Sequence, residues 1–304
     1  MNAITEIKAP RFNAEVMPLY GPNGRILPAS IGRAVVRNDT GETIAVCGPN
    51  FAPVQHHDIT DPIFDHLAAQ GYEVEERAKS KHDLYDLQGR KGAFVQSATT
   101  DNGAVMRTDV ILGDFINPTG RSHYLQEGAD TMLFKISIFN SHNSSLAVRV
   151  VTSYERLICL NGMTSPSFSA GVYGKHTNSF NLDAMTKKIE ASMNAMSGDA
   201  DKFGMWARTK LTVQQADEFL QRTVAKLRDK PNGEANFSQP LVNKILEQYH
   251  REDQTVWGLF QAVTHWQSHG ERREGSDALK TTIGRESRVA SMLRTKEWAG
   301  LLAA

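Results

Sequence analysis

The sequence predicts an α+β protein: a largely antiparallel sheet with packed helices, followed by a helical C-terminal part. Three observations carry this. Short β-prone runs separated by Gly, Asn and Asp turns recur up to about residue 180. From Leu182 onward the apolar residues take helical spacing instead. Apolar residues make up 40% of the 304 and charged residues 22%, a balance that supports a buried core. The expected division is an α+β core domain over residues 1–181 and a helical region over 182–304.

The elements follow in order. Ala34–Cys47 reads as two strands around the turn Asn38-Asp-Thr-Gly41. A helix is expected next, capped by Asp58 or Thr60, with Pro62 early and Gly71 as its stop. Strands are expected at Tyr72–Arg77, Asp83–Leu87, Gly92–Ala98, Asp109–Phe115, Met132–Ile138 and Ser145–Tyr154. Glu155–Gly162 fits a short helix or a final buried strand, and Met163–Asn181, rich in Ser, Gly, Thr and Asn, reads as a long loop. Helices are expected at Leu182–Met196, Leu211–Asp229, Pro240–Tyr249, Thr255–His269 and about Ser276–Leu302. Thr212 with Gln215 three residues on has the pattern of a capping box.

Composition excludes several classes. Lys+Arg and Asp+Glu are both 34, so the chain is not a strongly basic nucleic-acid coat, although a local basic groove stays open to it. No run approaches the roughly 20 apolar residues of a membrane span, and the start MNAITEIKAPRF has no apolar stretch of signal-peptide type, so the expected location is cytoplasmic. Cys47 and Cys159 each sit in an apolar run and read as buried thiols. The phosphate loop, the dinucleotide fingerprint, Gly-x-Ser-x-Gly and Cys-x2-Cys pairs do not occur. The expectation is a non-hydrolytic protein with no catalytic residue, no metal and no cofactor.

Three smaller constellations have simpler roles. His265 and His269 have the i, i+4 spacing of metal ligands, but Trp266-Gln-Ser268 between them lacks the zinc-protease glutamate, and packing or helix-end contacts explain them better. Of His56-His57, at most one enters a site if the chain there is extended, and a structural hydrogen bond is the favoured role. Asp58, Asp61 and Asp65 complement the positive end of the expected helix.

Two windows break the charge balance. Thr131–Phe180 has four bases, Lys135, Arg149, Arg156 and Lys175, against the acid Glu155. Lys280–Lys296 has five bases against Glu286. In the first window Arg149 shares a strand face with Val151, and Lys135 shares one with Ser137. A row of cations on a sheet face can track a phosphate backbone, with Lys175 and His176 closing over it; a solvated polar face with structural salt bridges explains the same pattern.

The segments Phe51-Ala-Pro-Val-Gln-His-His-Asp58, Asn140-Ser-His-Asn-Ser-Ser145, Arg156-Leu-Ile-Cys-Leu-Asn-Gly162, Lys175-His-Thr177 and Trp257–His269 together resemble the phage/plasmid-like family of unknown function numbered 932. Asn143-Ser144 stands where that family tends to have Asp-Gly, and Lys175 where it tends to have Arg. The resemblance implies a gene of phages, plasmids or mobile elements. A remote similarity in layout to phage single-strand annealing recombinases extends it to ATP-independent single-stranded DNA binding and strand annealing. In that extension Lys135, Arg149, Arg156 and Lys175 hold phosphates, while His142, Asn143 and His176 add hydrogen bonds. The partners are then single-stranded DNA and further copies of the chain in a ring or filament. The competing expectation is an anti-defence or regulatory phage protein that binds a host protein.

Overall fold

The structure is a computed structural model that describes residues 10–77, 81–100, 102–117, 131–156, 161–164, 172–177, 180–181, 183–184, 186–187, 190–191, 198–225, 239–270 and 276–303. The chain divides into two compact units. Residues 1–115, 134–152 and 170–194 form the first, and residues 116–133, 153–169 and 195–304 the second.

The fold is α+β, with helices in its C-terminal part. In the first unit β1 (Ala14–Pro18), β2 (Arg33–Arg37) and β3 (Thr43–Cys47) make a three-stranded antiparallel sheet. The hairpin expected around Asn38–Gly41 is the β2–β3 turn, where Gly41 takes φ 73°. Phe12, Ala14, Val35 and Cys47 bury one side of this sheet against Ile44, Ala45 and Phe51.

The larger sheet has the order β10-β8-β7-β6-β5-β4, with β9 paired to β8. Its strands are β4 (Glu73–Glu76), β5 (Gly92–Thr99), β6 (Val105–Ile116), β7 (Met132–Ser141), β8 (Val148–Arg156), β9 (Asn161–Thr164) and β10 (Val172–Gly174). Pairing is antiparallel for β5–β6, β8–β9 and β8–β10, and parallel for β4–β5. Every residue of β7 is buried, as a central strand requires.

Helix α1 (His56–Ala69) begins two residues before Asp58, and its N-cap is Gln55. Gln55 makes no cap bond because its amide pairs with both main-chain groups of Ala14, accepting from N at 2.8 Å and donating to O at 3.0 Å. Pro62 is consequently in the helix interior, where its ring removes one main-chain bond. The strand expected at Asp83–Leu87 is instead helix α2 (Lys81–Leu87). Leu84 and Leu87 are buried three apart on one helix face, a spacing that mimics a short β run.

The second unit holds α3 (Asp199–Arg208), α4 (Val213–Leu220), α5 (Gln239–Tyr249), α6 (Val256–His269), α7 (Ser276–Met292) and α8 (Lys296–Leu301). The capping box at Thr212 and Gln215 is present, and α4 runs into a π-helical turn at Gln221–Ala225. Helix α3 went unforeseen because Ser197-Gly-Asp199 reads as a break. The helix expected at Leu182–Met196 lies mostly outside the described residues. The core is aromatic: Phe203 meets Tyr154, Trp206, Trp257 and Phe260 at ring distances of 5.0–5.7 Å, and Trp298 closes on Trp206 at 5.1 Å. Among the described residues no helix is long and apolar enough to cross a membrane.

Gly113 on β6 sits where a Cβ would overlap the carbonyl oxygens of Arg90 and Leu87, both main-chain atoms that cannot swing aside. Gly113→Ala is expected to cost about 2–3 kcal/mol. Urea denaturation measures this, and a loss below about 0.5 kcal/mol would show that the turn relaxes freely.

Candidate functional site

Three separate stretches meet in the first unit around one piece of backbone, Val54. Its carbonyl accepts from Asn140 Nδ2 at 2.8 Å and lies 3.2 Å from His142 Nε2. Its N–H donates to His176 Nδ1 at 3.4 Å, and the next link is Ala52 N–H to the His176 carbonyl at 3.0 Å. His56 Nε2 donates to the Gly103 carbonyl at 2.9 Å, which leaves His56 Nδ1 to accept from Asn140 at 3.0 Å. His142 Nε2 must likewise be a donor, because its partner is a carbonyl. The two rings stack with centroids 3.9 Å apart, and Phe12 stands edge-on to both. The Arg37 guanidinium lies over the Phe12 ring, 4.1 Å from its centroid.

These histidines are neutral. Burial pushes His56 down to about 4, against the bond to Gly103 that favours the charged ring. Burial and then the neighbouring His56 push His142 down to about 3. His176 is lowered by burial, although its Nε2 donates to the Leu146 carbonyl at 3.0 Å. Beside the cluster a cleft of about 310 Å³ is lined by Val54, His57, Asp58, Asp61, Pro62 and Phe180. Asp61 pairs with Arg11 at 3.2 Å, and His57 lies 3.5 Å from Asp58. So His56 enters the cluster and His57 lines the cleft. Among the described residues no group of three or more His, Cys, Asp or Glu side chains is arranged to hold a metal ion.

The cations expected to form one exposed row are distributed differently. Lys135 is 3% exposed and its charge acts on Asp109 of β6. Asp109 also accepts from Ser137 Oγ at 2.5 Å and from Arg107 Nε at 3.0 Å. Burial opposes its ionisation, but Arg107, Lys135 and these hydrogen bonds prevail and hold the carboxyl well below the usual range. Arg156 is also buried, pairs with Glu252 at 3.5 Å, and belongs to the second unit. His142 and His176 are interior, and Asn143 spends its side chain on a turn, accepting from Ser145 N–H at 3.1 Å. Ion pairing inside the fold, not solvation along a groove, accounts for Lys135 and Arg156.

What remains at the surface is the end of the sheet. Arg149 on β8 lies directly opposite Tyr173 on β10. Its guanidinium is 5.4 Å from the Tyr173 ring centroid and 5.8 Å from that of Phe139 on β7. Arg107 approaches Phe139 at 5.2 Å. Phe139 is 1% exposed and Tyr173 56%, so a ladder of alternating rings and guanidinium groups runs from the interior of the sheet to solvent. Lys175 follows Tyr173 by two residues and is exposed. Tyr173, Asp109 and Asn140 are the residues that sequence reasoning missed as site members; the alternation of Tyr173 with Lys175 was the available signal.

In the second unit Arg156, Arg251 and His269 surround His265, whose ionisation is lowered first by burial and then by these charges. The two imidazole centroids of His265 and His269 are 4.8 Å apart.

Residues 44–296 match the family described as a domain of unknown function, DUF932. The chain belongs to that family. No curated protein and no solved structure matches it. Three of the segments that carried the resemblance, at 51–58, 140–145 and 175–177, are the ones that converge on Val54.

Two outcomes are expected. His56 and His142 bind protons in the unfolded chain below about pH 6.5 but in the fold only near 4 and 3, so stability falls as pH drops from about 6.5, approaching ~1.4 kcal/mol per pH unit for each ring. Below about pH 4 the depressed Asp109 adds to the loss in the same direction. Denaturant midpoints at pH 7.5, 6 and 5 measure it; His142→Gln removes one histidine from the slope, and a flat profile would mean that the rings are charged in the fold. Separately, Ser144 has φ 59°, a left-handed conformation that favours glycine. Ser144→Gly relieves that strain and is expected to raise stability by about 0.5–1 kcal/mol after the entropy lost by glycine; a lower melting temperature would place Ser144 among the residues the turn needs.

Proposed function

We propose that this DUF932 protein binds single-stranded DNA and anneals complementary strands without ATP, as an accessory protein of phage or mobile-element recombination in the host cytoplasm. The observation that carries the reading is the Arg149–Tyr173 pair with Lys175 at the edge of the large sheet. An exposed aromatic ring offers a stacking face to any base, and the adjoining cations offer charge to the backbone. The set of contacts is smaller than the seven residues first expected: Arg149, Lys175 and Tyr173 meet the strand, while Lys135 and Arg156 act through their carboxylate partners Asp109 and Glu252. His142, Asn143 and His176 position the loop that leads to this edge. One such edge holds few phosphates, so self-association in a ring or filament supplies a continuous track. Absence of a phosphate loop from the sequence agrees with a reaction driven by base pairing alone.

A second reading, a protein that acts by binding a host protein, draws on the exposed side chains Met17, Ile31 and Val46 of the small sheet and its flanking turn.

The deciding measurement is fluorescence anisotropy with a labelled single strand of about 30 nucleotides at two salt concentrations. Binding should weaken steeply with salt. Tyr173→Ala should cost about 1–3 kcal/mol in affinity, and Lys175→Ala should reduce the salt slope by about 0.7–1 per bound protomer. Annealing of complementary strands without nucleotide should then follow. Absence of binding at low salt by folded protein would remove the DNA reading and favour the host-protein one.

A further inference from the structure

The second basic window of the sequence, Lys280–Lys296, takes no part in the reading above. The structure sorts its cations. Arg285 is turned inward: its guanidinium lies over Trp266 at 5.9 Å from the ring centroid, and a Cβ added to Gly270 would meet it at 2.7 Å. Arg288, Arg294 and Lys296 are exposed, and among the described residues none has a carboxylate within ion-pair range. The two acids of this stretch, Glu286 and Glu297, are half-buried. Arg288 and Arg294 stand at the C-terminal end of α7, where the negative end of the helix dipole favours a cation that has no carboxylate. Their backbone is fixed from below. Val289 and Met292 are 1% and 3% exposed. Thr295 closes the turn after α7, donating to the Met292 carbonyl at 2.8 Å and accepting from Trp298 N–H at 3.1 Å. Trp298 packs edge-on against Trp206 and Phe219 at 5.1 and 5.5 Å. Gly284 and Ser291 share the exposed face of α7 with Arg288, so only short side chains flank the cation.

We propose that this face of α7 and the turn after it holds the phosphate backbone of duplex DNA, the product of annealing. The inference rests on the nucleic-acid part of the reading above and adds a second contact to it. The side chains of this face favour a duplex over a single strand. Among the described residues, none of the large apolar side chains left exposed is on α7 or α8. Unpaired bases therefore find no ring to stack on, and a single strand forgoes the stacking that Tyr173 offers it. Paired bases need no such ring. A duplex also carries about one charge per 1.7 Å of its axis, twice the density of either strand alone, so a face that offers only charge prefers it. From Arg288 to Arg294 the chain rises by roughly 9 Å, at ~1.5 Å per residue, which lets the two guanidinium groups meet successive phosphates. The lack of apolar anchors also disfavours an acidic peptide, which binds by burying side chains as well as by charge.

The test uses the full chain and a labelled duplex of about 20 base pairs, titrated by anisotropy over a series of salt concentrations. Arg288→Gln combined with Arg294→Gln should weaken duplex binding about tenfold and lower its salt slope by about 2, with single-strand binding changed less than about twofold. Arg288→Lys combined with Arg294→Lys should keep the slope, because phosphate attraction needs the charge and not the fork. Both positions are exposed, and circular dichroism checks that each variant keeps the fold. Duplex binding that survives the glutamine pair, with single strands still bound, overturns the inference and leaves the single-strand reading standing. Loss of duplex binding in the glutamine pair, while Tyr173→Ala leaves single strands unaffected, supports the inference and removes the sheet edge. No binding of either form by folded protein removes both. Polyglutamate that displaces the duplex as well as unlabelled duplex does also overturns the inference, and assigns this face to an acidic polypeptide.

Discussion

The first unit depends on how the backbone of Val54 is satisfied. This residue lies between the small sheet and α1, in a stretch with no strand or helix partner of its own. Val54 is 8% exposed, and buried main-chain groups without partners cost about as much as a lost hydrogen bond. Here side chains meet the requirement: Asn140 and His142 at the carbonyl and His176 at the N–H. Asn140 and His142 come from the end of β7 and His176 from the stretch after β10, so strand end and loop must be placed together. Displacing His176 orphans the Val54 N–H, and displacing Asn140 or His142 leaves the carbonyl with one of its two donors. That coupling explains why two histidines tolerate stacking at 3.9 Å in the interior: both serve as neutral donors to fixed carbonyls.

A second constraint decides which cations are available for binding. A charge inside a strand that is buried on both faces must find an opposite charge or lose its proton. Lys135 on β7 meets this through Asp109, which Arg107 and Ser137 also hold. Arg156 meets it through Glu252. Removing Lys135 takes one of two cations from Asp109, and removing Arg156 breaks the ion pair with Glu252, so these residues bear on folding before they bear on any ligand. Tyr173 and Lys175, by contrast, lie beyond the covered strands, where solvent replaces the need for a partner.

The strands and the later helices were legible in the sequence because their periodicity and their stop signals agree. The β2–β3 turn at Asn38–Gly41, the capping box at Thr212 and helices α5 and α6 are each marked by local chemistry. Errors arose where one local signal had two meanings. Asp83–Leu87 has too few residues to separate a two-fold from a 3.6-fold pattern, and Asp58 resembled a cap because Gln55, the actual first residue of the helix boundary, uses its side chain on β1. For the site, the segments were visible and the direction of their side chains was not. Asp109 lies 26 residues before Lys135 in the chain, and nothing local announces that it faces that lysine. A cation in a β-prone run looks the same whether a carboxylate or water lies opposite.

The ladder from Phe139 through Arg149 to Tyr173 joins these two constraints. Its inner ring is fixed by the packing of β7, its guanidinium is held between two aromatic faces, and only its outer ring reaches solvent. A tyrosine on a three-residue edge strand would ordinarily sample many orientations. Here its cross-strand neighbour is itself anchored to the core, so the exposed ring is presented with little entropy left to lose on contact. Pre-organisation of this kind lowers the ordering cost of any contact made at the ring. The rigidity of the edge is thus supplied by the same burial that withdraws Lys135 from the surface: the interior pairs its charges, and the outermost strand keeps the Tyr173 ring and Lys175 exposed.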